Sequence, residues 1–237
     1  MEVYISINGV LRDFIKKFDY HYREYFLEAE EESQETEHFN YSIEYPVRND
    51  NLMNYYKFQS ESEYNNFCYI EFALEIFGHS NTSYSRVFDD LNKLIYKYPD
   101  INFTLIGLDE LGRTKPSTLF FLSKNGYLGN NIKFIKSDDI DKEWKKCNIW
   151  ITDNEQIINK CPKNKKVIKF TTDYNDHILG KIEINNINKI DELCLKYWEK
   201  TTTSTPMKLL KFVERTMGLK GLMKRKNHQK EKMENPC

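Results

Sequence analysis

The tetrapeptide Ser6-Ile7-Asn8-Gly9 closes the apolar run VYISI and opens a stretch in which apolar residues recur at helical spacing. Two short polar side chains are therefore set on a strand-to-helix turn, the kind of position where an open parallel sheet offers side chains to a ligand. Covalent phosphoryl chemistry there would ask for two carboxylates, one to attack and one to move a proton. The Ser6 hydroxyl has no neighbouring histidine base in the sequence to activate it, and the Asn8 amide does not exchange a proton near neutral pH. Three further positions fall at comparable turns: Gly107 and Asp109 after the run NFTLIGL, and Asp153 after NIWIT. Magnesium requires several hard oxygens, carboxylates among them, and with Ser6 and Asn8 at the first turn Asp153 is left as roughly its one acidic ligand there, so no metal and no other cofactor is expected. Asp13 and Asp109 join Asp153 as substitute carboxylates only if the chain is a magnesium-dependent phosphohydrolase with altered motifs.

The elements that must hold these residues are legible in the periodicity. Strands are expected over 3–7, 102–108, 131–135, 148–152 and 166–172. Helices are expected after Val10, over 62–77 with Ser60 or Ser62 as cap, and over 83–98 with Ser83 or Ser85 as cap and Pro99 beyond the end. KPSTLFFLSKNG reads as a helix with proline in its first turn and glycine at its end, and 189–200 as the last helix of the body. Short apolar strands alternating with helices predict an α/β fold with a parallel sheet covered on both faces. The acidic run 28–38 has almost nothing to bury and reads as a solvated helix end or loop.

Five cysteines, odd in number, widely spaced and without a C-x-x-C pair, argue against a disulfide framework and against zinc. Five scattered histidines form no ligand pair, and neither a P-loop nor a dinucleotide fingerprint occurs. No signal-peptide pattern and no stretch of about 18 apolar residues is present, so a reducing compartment and no membrane are expected. The net charge of −1 conceals an asymmetry: from Pro206 onward nine Lys and Arg face three Glu, while the preceding residues carry 26 against 33. TTTSTP (201–206) reads as a linker and 207–237 as a basic amphipathic helical tail.

The stretch ISINGVL resembles the first motif of the haloacid dehalogenase-like superfamily, D-x-D-G-[TV], in its strand, glycine and valine, with Ser6 in place of the first aspartate and Asn8 of the second. The resemblance implies a Rossmann-type core over 1–19 and 99–200, a mainly helical cap inserted over 20–98, Gly107 where the second-motif hydroxyl would stand, Lys115 as the third-motif lysine, and Asp153 alone for the fourth-motif acids. The family's catalytic aspartates are both replaced, which implies a pseudoenzyme. INGVLRDFIKKFDYHY and RTKPSTLFFLSK further resemble haloacid dehalogenase-like proteins of tailed phages, the crAss-like phages in particular. That likeness implies a structural part of a virion, such as a neck or tail ring, located in the virion or the host cytoplasm. Partners are then other protein subunits, copies of the same chain included, engaged by Leu210, Val213 and Met217 with Lys220, Lys224 and Arg225 beside them. Nucleic-acid binding by the basic tail is the third reading.

Overall fold

The computed structural model describes residues 1–28, 39–49 and 51–191. Met1–Lys189 form one compact unit and Ile190–Cys237 a second, which lies almost wholly outside the described residues. The last body helix, the linker, the tail with its six partner-binding residues, and nearly all of the acidic run therefore fall outside the description.

The first unit is built on six parallel strands: β1 (Glu2–Ser6), β4 (Asn102–Leu108), β5 (Ile132–Ile135), β6 (Ile149–Thr152), β7 (Lys166–Phe170) and β8 (Glu183–Ile184). Their order is β5-β4-β1-β6-β7-β8. The chain starts in the middle, moves outward through β4 and β5, then returns to the far side of β1. The carboxyl ends of β4, β1 and β6 therefore flank the point where strand order reverses. Right-handed crossovers in opposite directions set the connecting helices on opposite faces of the sheet.

Alternation along the strands separates the two faces. Tyr4, Ile106, Ile135 and Trp150 point to one, where they pack with Ile140 and Trp144 of α5 (Ile140–Lys146) and Ile157 of α6 (Glu155–Asn159). Trp144 and Trp150 meet with ring centroids 5.2 Å apart, and Tyr4 stands edge-on to Trp150 at 5.3 Å. Val3, Ile5 and Leu105 point the other way and are just as buried. α3 (Val87–Lys97) and α4 (Lys115–Lys124) pack together through Phe88 and Phe121.

Two short antiparallel strands, β2 (Arg12–Asp13) and β3 (Asn81–Thr82), fasten the ends of the segment between β1 and α3. Between them run α1 (Phe14–Tyr22), α2 (Glu61–Asn66) and wider π-helical turns over Arg23–Glu28, Phe67–Glu71 and Leu74–Gly78. This excursion closes its own core around Phe18, Tyr22, Phe26, Tyr56 and Phe67. Ser60 caps α2, its hydroxyl accepting from Glu63 N at 3.1 Å, and the helical path continues past it as π turns rather than one α-helix to 77. Neither Ser83 nor Ser85 caps α3: Ser83 instead donates to the Val10 carbonyl at 2.6 Å and ties the returning chain to the first turn. Among the described residues no helix is long and apolar enough to cross a membrane.

Candidate functional site

Residues 7–12 form a tight turn off the end of β1. The amides of Leu11 and Arg12 both donate to the Ile7 carbonyl at 3.0 Å, and Gly9 N donates to Arg12 O at 2.8 Å. Gly9 sits at φ +72°, a left-handed conformation that a side chain strains, and a Cβ there would come within 1.8 Å of Asp153 Oδ2. Glycine is required at this position twice over, by the backbone and by the carboxylate pressed against it.

Ser6 is 7% exposed and its hydroxyl is fully engaged. It donates to Thr152 Oγ1 at 2.8 Å and accepts from Trp150 Nε1 at 3.2 Å. Thr152 Oγ1 in turn accepts from Asn154 N at 3.1 Å. None of these partners is a base, so the arrangement ties the ends of β1 and β6 together and leaves the serine unactivated.

Asn8 is held just as firmly, because its side-chain carbonyl accepts from both Nε and Nη2 of Arg12. Arg12 is 2% exposed and also donates from Nη1 to the Phe77 carbonyl at 2.6 Å and to Thr118 Oγ1 at 3.1 Å. Its guanidinium lies 5.1 and 5.3 Å from the ring centroids of Phe77 and Phe121. Burial lowers its pKa, and an amide, a carbonyl, a hydroxyl and two π faces surround the guanidinium. One cation thus joins the turn, the end of the inserted segment and α4.

Asp153 follows β6 and is 3% exposed. The Tyr174 hydroxyl donates to its Oδ2, and Asn175 Nδ2 donates to its backbone carbonyl at 3.1 Å. A cavity of about 470 Å³ opens beside Gly9 and Tyr174, and another of about 590 Å³ beside Asn8 and Asn154. Asp153 lines neither, being shut between the glycine and the tyrosine.

The structure brings Ser6, Asn8 and Asp153 to one edge of the sheet, since Ile5 pairs with Ile151 and Ser6 with Ile106. Gly107 lies at that edge too, on the opposite face: a Cβ there would meet the Phe134 ring at 3.0 Å and Ile7 at 3.6 Å. The space for a second-motif hydroxyl is filled by a phenylalanine. Lys115 does not join the group. It is exposed at the start of α4, with its ammonium 5.9 Å from the centroid of the Phe134 ring. Asp109 is buried as a loop cap, its carboxylate accepting from Arg113 N at 2.9 Å and Thr114 N at 3.2 Å. Asp13 pairs with Lys16 at 2.8 Å.

The magnesium ion that the altered-motif reading requires does not fit these residues. Asp13, Asp109 and Asp153 are each engaged elsewhere, and among the described residues no three His, Cys, Asp or Glu come together as a metal would need. Sequence reasoning missed Arg12, Trp150, Thr152 and Tyr174, the groups that decide the state of the site. Arg12 carries a signal, a cation directly after the apolar pair Val10-Leu11; Trp150 and Thr152 are reached through strand pairing, and Tyr174 through the turn after β7.

No family model matches the chain, and no curated protein matches its sequence. Among solved structures, a protein described as a haloacid dehalogenase-like hydrolase from Burkholderia xenovorans superposes with a TM-score of 0.51, at 9% identity, over 83% of this chain and 97% of that one. At that identity the likeness speaks for the fold alone. With the parallel sheet, its strand order and the turn after β1, it establishes that this chain carries a haloacid dehalogenase-like α/β fold.

Proposed function

We propose that this chain is a non-catalytic binding protein on a haloacid dehalogenase-like scaffold, acting through contacts with other protein subunits. The observation that carries the reading is the state of the turn after β1: Ser6 is held by Thr152 and Trp150, and Asn8 by Arg12. A carboxylate nucleophile and a proton-transfer acid are absent from those positions, and the hydroxyl and amide that replace them serve as structural ties. The setting we propose is a phage virion, in a homo-oligomeric ring of the neck or tail. That part rests on the resemblance of residues 7–22 and 113–124 to phage proteins and on the charge asymmetry between body and tail.

The test of the non-catalytic reading is inorganic phosphate release from p-nitrophenyl phosphate and nucleoside monophosphates in magnesium. Release at the rate of the buffer blank is expected. Turnover that Asp153→Asn abolishes would overturn it, because the rate would then depend on the one carboxylate at the switch point.

A further inference from the structure

The cavity of about 590 Å³ lies between the carboxyl edge of the sheet, represented by Asn8, Leu108 and Asn154, and the inserted segment. It has the position and volume of a ligand site in an open α/β fold. Its lining is unusual. Of its twenty described lining residues, seven are asparagine and one is glutamine, and none is Lys, Arg or His. A doubly charged phosphate ester calls for a compensating cation, and a lining with none and with three glutamates disfavours it, whereas neutral amides suit an uncharged polar ligand.

Three glutamates also border the cavity, yet each has a local role. Glu110 accepts from Ser137 N at 2.8 Å and from the Ser137 hydroxyl. Glu61 and Glu155 stand in the first turns of α2 and α6, where the helix ends complement their charge. The side-chain amides of Asn54, Asn65, Gln156 and Asn159 make no hydrogen bond with another described residue, and each offers a donor and an acceptor to the space. One wall is a stack of rings, Tyr69 over Phe77 at 5.7 Å and 12° and Phe77 against Phe14 at 6.1 Å and 19°; the two phenylalanines are buried within the stack, and the half-buried Tyr69 is the ring that presents surface to the cavity. Burial raises the Tyr69 pKa, Cys68, Glu110 and Asp109 adding to it and a hydrogen bond with Tyr64 opposing it, so that hydroxyl stays neutral.

We infer that this cavity binds a neutral polyhydroxylated ligand, a saccharide, through paired amide contacts to its hydroxyls and ring contact to its C–H face. Amides satisfy hydroxyl groups in both senses without charge, and aromatic rings accept the apolar side of a pyranose. The inference rests on the non-catalytic reading, in that the cavity holds its ligand without transforming it.

The experiment uses the full chain and saturation-transfer NMR with glucose, maltose and N-acetylglucosamine, alongside glucose 6-phosphate and spermidine. Saturable transfer to at least one neutral saccharide below about 10 mM is expected, with the phosphate ester and the polyamine each about tenfold weaker or silent. The substitutions Asn65→Leu, at a half-buried position, and Gln156→Leu, at an exposed one, together should weaken that saccharide about tenfold while the chain keeps its circular dichroism. Absence of saturable binding by every neutral saccharide would overturn the inference. So would equal or tighter binding of the phosphate ester or of spermidine, or binding unchanged in the double variant. Phosphate released from glucose 6-phosphate in the same tubes would instead overturn the non-catalytic reading.

Discussion

Ser6, Asn8 and Gly9 each hold a neighbour in place, and that determines what substitutions there should do. Removing the Ser6 hydroxyl leaves Trp150 Nε1 and Thr152 Oγ1 short of a partner in a buried setting, so Ser6→Ala should cost about 1 to 2 kcal/mol in urea unfolding. Asn8→Asp should act in the opposite sense. It places a carboxylate against a buried guanidinium that now has an amide, and the charge-assisted bonds should raise stability by about 1 kcal/mol, read as a higher melting temperature. Gly9→Ala must fail on two counts, positive φ and the Asp153 carboxylate, and a loss of at least about 3 kcal/mol is expected. The types of Ser6 and Asn8 were plain in the sequence, and they already spoke against covalent phosphoryl chemistry. The partners of Ser6 were not legible, because Trp150 and Thr152 come from more than a hundred residues away and meet it only through strand pairing, whereas Arg12, which holds Asn8, lies four residues on.

At the scale of elements, the strands were readable because buried parallel strands are continuous β-branched and aromatic runs, and NFTLIGL and NIWIT are of that kind. β2, β3 and β8 were not, being two residues each and defined by their partners rather than by their own pattern. The cap of α3 misled for a related reason: Ser83 finds a better acceptor in the Val10 carbonyl than an orphan amide in its own helix. α5 illustrates how one buried charge fastens elements together. Glu143 accepts from Lys133 of β5 at 2.5 Å, Lys146 at 2.8 Å and the Tyr4 hydroxyl of β1 at 3.1 Å. Burial opposes its charge, but these three donors outweigh it and hold its pKa below the ordinary 4.5. A depressed carboxylate contributes stability that is complete above the unfolded value and fades as pH falls through the folded one. Glu143→Gln should therefore cost about 1 to 3 kcal/mol at pH 7, the lysines being partly exposed, and the gap to the parent should close below pH 4.5. Urea midpoints at the two pH values check this; a gap independent of pH would contradict it.

For the molecule as a whole, the fold class was legible because alternation of strand and helix leaves few topologies, and the strand order then sets the turn after β1 at the reversal point. The two-stranded fastening of the inserted segment and the central place of Arg12 were not, since both are long-range closures. Assembly belongs to this scale as well. The balance of +6 from Pro206 onward is opposite in sign to that of the preceding residues, 26 Lys and Arg against 33 Asp and Glu, so on the proposed function truncation after Thr205 should leave circular dichroism and melting unchanged while lowering the native mass in sedimentation. A truncated body that assembles like the parent would remove the tail from the proposed interface. The central claim, that the turn after β1 forms no covalent intermediate, is tested most directly by acid-quenched intact-mass measurement after incubation with p-nitrophenyl phosphate and magnesium. The account predicts the unmodified mass at every time point; a species heavier by one phosphoryl group, lost on Ser6→Ala or Asp153→Asn, would contradict it.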